Sequence, residues 1–307
     1  MIYDYTPIQW LFFFYAYCFL GWCVESAYVS IKDRVLTNRG FMRGPFLPLY
    51  GSGALTLLMV SNPFGGNIIL TFIASCIGAT ILELITGIAM EAIFKVRYWD
   101  YTNQPLNYRG YICMGTTLSW GFLGVLLTKY AHPFVQGLLF LIPLSVLRPI
   151  LFVLTALIGA DFGLSFKAAL DLRTVLIKME EAKQGLITIQ RRLEIMNTFY
   201  TEGLKEGAQG VVESVSTRAD DMKKSIEARF ENIANMAKKY PAKYTESMRA
   251  EYNELKEKYG HYLYERMHLS TITDFFQRSL IRDNPDMTSE RFKEALEELK
   301  SSVLKRK

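Results

Sequence analysis

Six ionisable side chains stand in or beside apolar runs of this chain. Glu83, Gly87 and Glu91 follow one another at i, i+4 and i+8, so both carboxylates share one stripe of a helix. Glu25 ends another apolar run in the same arrangement, Gly21-x-x-x-Glu25. Arg148 sits in "LIPLSVLRPILFVL", between Pro143 and Pro149. Arg39 and Arg109 each precede a glycine in a turn-rich stretch. Carboxylates and guanidinium groups in such surroundings can brace helices as ion pairs, hold a charged substrate, or act as general acid and base. An ionisable group within a membrane span is costly unless it is paired or reaches water, which makes each one a functional-site candidate. The expected pairs are Glu25 with Arg39 and Glu91 with Arg109, near a membrane interface and mainly structural. Glu83 with Arg148 would lie deeper, where bracing and function weigh equally.

The elements that must position these groups follow from composition. Half of the 307 residues are hydrophobic. Of the 65 Asp, Glu, Lys and Arg residues, only 16 precede Ser165. A bilayer core takes about 20 apolar residues per helix. Five spans are predicted: Ile8–Ser30, Phe46–Val60, Asn67–Phe94, Tyr111–Thr128 and Pro133–Ala160. The second is short and glycine-rich. Loops after the first and third spans carry Lys32, Arg34, Arg39 and Arg43, then Lys95, Arg97 and Arg109. The loop "SNPFGG" carries no Lys or Arg, and the next only Lys129. The positive-inside bias then puts the N-terminus outside and the C-terminal part in the cytoplasm.

"NRGFMRGPFLPLYG" and "NYRGYICMGTTLSWG" repeat one basic junction: Arg39-Gly40 matches Arg109-Gly110, and Tyr50-Gly51 matches Trp120-Gly121. With Gly21-x-x-x-Glu25 matching Gly87-x-x-x-Glu91, the expected unit is a helix, a basic loop and a returning helix, used twice in parallel. Glycine one turn before each Glu would let helices approach closely.

After Asp161 the pattern becomes that of soluble helix. Leu172, Val175, Met179, Ala182, Leu186, Ile189, Leu193, Met196 and Tyr200 make a heptad seam. It suits either burial within one chain or homo-oligomerisation or partner docking through residues 172–200. Gly203, Gly207 and Gly210 break it, helices are expected over 211–239 and again after Pro241, and "NPDMTSERFKEALEELKSSVLKRK" reads as a turn and a last amphipathic helix. The fold class expected is all-α: a polytopic helical membrane domain over 1–162, with two parallel hairpin repeats plus one span, followed by a helical, coiled-coil cytoplasmic region over 163–307.

"GWCVES", "NRGFMRGPFLPLYG", "ILELITGIAMEAIF", "WDYTNQPLNYRGYI" and "LSWG" together resemble the bacterial membrane family of ABC-transporter type IV, CmpB-like proteins. The resemblance covers roughly the first 130 to 150 residues and implies an integral membrane protein of permease type. It does not reach the charged C-terminal half.

Three functions compete: a permease-like transport component of unknown substrate, a membrane-anchored scaffold or sensor with a coiled-coil module, and an intramembrane enzyme acting on a lipid-type substrate. The chain has no Gly-x-x-x-x-Gly-Lys-Ser/Thr loop, so ATP-driven transport would need a separate ATP-binding subunit. Cys18, Cys23, Cys76 and Cys113 lack disulfide or zinc spacing, and His132, His261 and His268 are scattered, so neither metal nor cofactor is expected. No nucleophile motif is present, no residue is assigned a catalytic role, and an enzyme ranks last. The small, dispersed net charge of +5 argues against nucleic acid; the lipid bilayer is the expected surrounding.

Overall fold

The computed structural model describes residues 4–64, 66–202, 219–239, 245–270 and 274–304. Every named element among them is helical: α1 Pro7–Asp33, α2 Pro48–Ser61, α3 Ile68–Phe94, α4 Met114–Leu126, α5 His132–Phe140, α6 Leu144–Glu202, α7 Ala219–Lys239, α8 Glu246–Ser270, α9 Phe275–Asp283 and α10 Lys293–Leu304. Local chemistry fixes the main ends. Thr6 and Gln9 form a capping box at the start of α1, with Pro7 in the first turn where its missing N–H costs nothing. Asn67 accepts from the Ile69 and Leu70 amides to start α3. Both α1 and α3 stop at a basic residue in left-handed conformation, Arg34 (φ 54°) and Lys95 (φ 62°).

Three helices are long and apolar enough to cross a membrane: Pro7–Lys32, Ile68–Phe94 and one within Leu144–Thr198. Their outward faces carry large exposed apolar side chains, among them Ile69, Phe152 and Leu157. The expected second span is the 14-residue α2, about 21 Å long and short of a ~30 Å hydrocarbon core. The expected fourth and fifth spans are divided differently. A π-helical turn, Leu127–Ala131, joins α4 directly to α5. The chain passes Pro133 without a break because that proline lies in the first turn of α5. The break falls at Leu141–Pro143, where the Pro143 carbonyl accepts from the Val146 and Leu147 amides and α6 begins. Pro149 lies inside α6.

The chain forms two compact units. The first comprises residues 1–173 and 272–307, and the second residues 174–271. The sequence boundary was expected at 162/163; instead the first eleven residues past it stay with the apolar helices, and the last two helices return to them. In the first unit α1 packs on α2, α2 on α3, and α3 on α4. Phe13, Leu58, Val135, Leu139, Leu147 and Leu151 build its core beside α1.

In the second unit Leu186, Ile189, Leu193 and Met196 pack against Met222, Ile226, Phe230 and Ile233 of α7 and Leu255 of α8. This part of the heptad seam is therefore buried within one chain. Earlier in the seam Leu172, Met179 and Ala182 are buried, but Leu176 is fully buried in place of its neighbour Val175, which is only partly so. The side chain of Tyr200, the three glycine breaks at 203, 207 and 210, the stretch 211–218 and Pro241 lie outside the described residues.

Candidate functional site

The junctions after α1 and α3 and the C-terminal residues meet in the first unit. Arg97 and Thr288 exchange both backbone hydrogen bonds, at 2.7 and 2.9 Å. Ser289 Oγ donates to the Lys95 carbonyl, and Asn284 Nδ2 to the Gly40 carbonyl. Arg43 lies over the rings of Phe275 and Phe276. The first junction also meets α6, where the Gly44 amide donates to Asp161. Both junctions, α9 and α10 thus occupy one end of the apolar helices. Gly40 and Gly110, the glycines of the matched Arg-Gly pairs, both take positive φ (142° and 74°), which explains the residue type.

The hairpins repeat their contacts at constant separations. A Cβ on Gly51 would press on Cys18 and Phe14 of α1, and a Cβ on Gly121 on Cys76 and Phe72 of α3. One residue earlier, the Tyr50 hydroxyl donates to Glu25 at 2.6 Å and Trp120 Nε1 to Glu83 at 3.1 Å. This packing register sets Glu25 against Glu83, two turns away from the expected partner Glu91. The Gly-x-x-x-Glu likeness has its own meaning. Gly21 receives the Tyr50 ring and Gly87 the Tyr111 ring. Each tyrosine hydroxyl then donates to the carboxylate one turn further on, Glu25 and Glu91, both at 2.6 Å.

The expected ion pairs fare differently. Arg39 Nε lies 3.8 Å from Glu25, and its Nη2 lies 3.5 Å from Asp286. Glu91 pairs with Arg97 at 2.6 Å, and not with Arg109. Arg97 also reaches Glu290 at 2.9 Å and stacks over Tyr111. Burial opposes the charge on Arg97, but Glu91 and Glu290 hold it above the ordinary arginine value. Arg109 is exposed, in left-handed conformation (φ 51°), over the ring of Tyr108. Twelve residues nearer α3, Arg97 is the one the tight Lys95 cap turns back onto Glu91. Arg148 does not meet Glu83. It is exposed on α6, whereas Glu83 is 5% exposed and accepts from Tyr101 Oη at 3.3 Å as well as from Trp120.

Between the hairpins lies a cavity of about 520 Å³. Its polar lining includes Glu25, Arg39, Tyr50, Glu83, Tyr101 and Trp120. Leu82, Met90, Phe94, Phe162 and Phe166 supply apolar wall, and Asn284 closes it on the junction side. Glu91, Arg109 and Arg148 are not in the lining. Among the described residues, the hydrogen-bonding partners of Glu83 are neutral donors: Trp120, Tyr101 and Thr116. A lone carboxylate held this way can receive a cation or carry a proton.

Asp100, in the second junction, accepts from Thr102 and from Thr288 of the C-terminal segment. Burial pushes its carboxyl up, but these hydrogen bonds and the Arg97 charge outweigh it and hold it below its ordinary value. A second polar cluster lies beyond the sequence reading. His132 is buried between Tyr5 Oη at 3.0 Å and Tyr17 Oη at 2.7 Å. The tyrosine-rich start of α1 carried the only sequence trace of it. No group of His, Cys, Asp and Glu suited to a metal ion occurs among the described residues.

The family profile described as "Putative ABC-transporter type IV" matches residues 12–166, just over half of the chain and including α1 to α5 almost entirely. The chain belongs to this family. Family membership marks a transport-related membrane protein, consistent with its apolar helices. No curated protein and no solved structure matches the chain.

Proposed function

We propose that the protein is a permease-like transport component, that its substrate site is the cavity between the two hairpins, and that a separate ATP-binding subunit drives it. The observation that carries this reading is Glu83: a carboxylate almost fully buried in a 520 Å³ cavity, whose hydrogen-bonding partners among the described residues are all neutral. A carboxylate needed only to brace helices would be expected to have a cation, as Glu91 has Arg97. The parallel contacts of Gly51 and Gly121, and of Tyr50 and Trp120, support a two-hairpin internal repeat with the cavity between its halves. On this reading the chain crosses the membrane five times, with α2 packed against protein as a short span. The Lys and Arg of both junctions favour a cytoplasmic position for them, for the C-terminal segment and for the helical region beyond. The chain carries no phosphate-binding loop of its own, and the junction end is where an ATP-binding subunit would dock.

Affinity capture of the full chain from its native membrane, in mild detergent, tests this. The expected result is an ATP-binding subunit in stoichiometric amount. Capture of the chain with no nucleotide-binding protein, under conditions that preserve known transporter assemblies, would leave the scaffold reading in its place.

A further inference from the structure

We infer that the cavity takes a ligand bearing a cationic ammonium group on an apolar body, with Glu83 as its counter-ion. The inference rests on reading the cavity as a substrate site and adds the chemical class. Three observations carry it.

The first is charge. The acidic and basic side chains lining the cavity are Glu25, Glu83 and Arg39. Arg39 is shared between Glu25 and Asp286. Among the described residues nothing positive meets Glu83, whose hydrogen-bonding partners are Trp120, Tyr101 and Thr116. An ammonium group would complete that carboxylate, whereas an anionic ligand would meet two carboxylates in an apolar site.

The second is the wall. Tyr50 and Trp120 stand with ring centroids 6.1 Å apart, and both donate to the cavity carboxylates. Aromatic rings close to a carboxylate recur in ammonium recognition, because the face of a ring attracts a cation. The remaining wall is apolar and suits an alkyl or aromatic body.

The third is unmet polarity and access. Tyr98 is 6% exposed and lines the cavity, and its hydroxyl has no hydrogen-bond partner among the described residues. A buried hydroxyl without a partner is costly, and a ligand or the water it carries would satisfy it. Ile85 and Ile93 also line the cavity, yet they are 60% and 39% exposed on the flank of α3. The cavity therefore opens toward the apolar surface of the helices, through which an amphipathic cation can enter. That cation could be a free alkylammonium compound or the headgroup of an amine-bearing lipid.

The test uses the full chain in nanodiscs of phosphatidylglycerol, which offers no ammonium group. Octyltrimethylammonium is titrated while tryptophan fluorescence is followed, since Trp99 and Trp120 line the cavity. Octanol and octyl sulfate share the tail without the positive charge. The expected result is saturable quenching by octyltrimethylammonium alone. Glu83→Gln should weaken it about tenfold or more, the effect of losing one charge-assisted contact. Ser52→Phe, which keeps the carboxylate and fills the cavity, should abolish it. Phosphatidylethanolamine in the nanodisc separates the sources. Competition by that lipid, with one molecule retained in native mass spectrometry, assigns the headgroup. Unchanged quenching assigns a free cation. The inference is overturned if octanol or octyl sulfate quenches equally, or if both variants bind as the natural chain does. Saturable, Glu83-dependent binding in a protein that captures no ATP-binding subunit would uphold the ligand class while removing the transport reading. An ATP-binding subunit present with no ammonium binding would do the reverse.

Discussion

Arg97→Ala is expected to be among the most damaging single changes at the junction end, and the structure says by how much. Arg97 is 7% exposed and lies 2.6 Å from Glu91, itself 21% exposed. Breaking a buried pair by removing one partner costs about 3–5 kcal/mol, because the other charge stays buried. The contact with Glu290, 73% exposed, adds little, since surface pairs are worth about 0–1 kcal/mol. Stacking over Tyr111 adds roughly 0.5–1 kcal/mol. Tyr111 still donates to Glu91 after the change and offsets part of the loss, and the backbone exchange with Thr288 survives because it needs no side chain. The net expectation is about 3 kcal/mol, or a fall of roughly 6–12 °C in the unfolding midpoint of the full chain in nanodiscs. Glu290→Ala should cost less than about 1 kcal/mol. Adding Glu91→Gln to Arg97→Ala should recover part of the loss, because the uncompensated charge is gone. The reasoning is refuted if Glu290→Ala matches Arg97→Ala, or if the double variant loses the sum of the two singles.

The packing register makes a paired prediction: Gly51→Val and Gly121→Val should each destabilise by about 1–3 kcal/mol through overpacking, read as matched drops in the unfolding midpoint, and a neutral result at either position would remove that register. Arg148→Ala should shift the midpoint negligibly, within about 0.5 kcal/mol, because Arg148 is exposed and Glu83 has other partners; a large loss would restore the Glu83–Arg148 pair. Asp100 predicts acid sensitivity of the C-terminal segment. Its carboxyl is lower in the folded chain than its ordinary value of 3.8, so its contribution is present above that value and is lost as pH falls through the folded one. Hydrogen-exchange protection of residues 284–290, corrected for intrinsic rate, should therefore be intact at pH 6 and drop below about pH 4. Asp100→Asn should flatten that dependence, and a decline unchanged in Asp100→Asn would assign it elsewhere.

Several features were legible in the chain alone, and they share a cause. Tyr50-Gly51 and Trp120-Gly121 stood out because glycine at a close approach and a donor beside it are strongly constrained residue types. Their roles recur at both hairpins. Glu25 with Arg39 and the last helix were readable from local pattern in the same way. The partner of Glu91 was not, because several arginines lie within reach along the chain, and only the left-handed cap at Lys95 selects Arg97. Arg148 misled for a related reason: an arginine within an apolar run suggested an inward-facing partner for Glu83, but α6 leaves Arg148 exposed. The return of α9 and α10 to the junctions had no local sequence signal. It depends on contacts such as Asn284 to Gly40, across most of the chain's length.

If the cavity is the working site of an ATP-coupled transport component, ATP turnover depends on it. The chain would be purified from native membranes with whatever binds it, once as the natural protein and once as Ser52→Phe, which fills the cavity from α2. ATP hydrolysis is expected in the natural preparation. Clearly slower or substrate-insensitive hydrolysis is expected in Ser52→Phe, with the same amount of ATP-binding subunit retained. Absence of ATP hydrolysis from the natural preparation, or turnover indifferent to the blocked cavity, would contradict the transport reading.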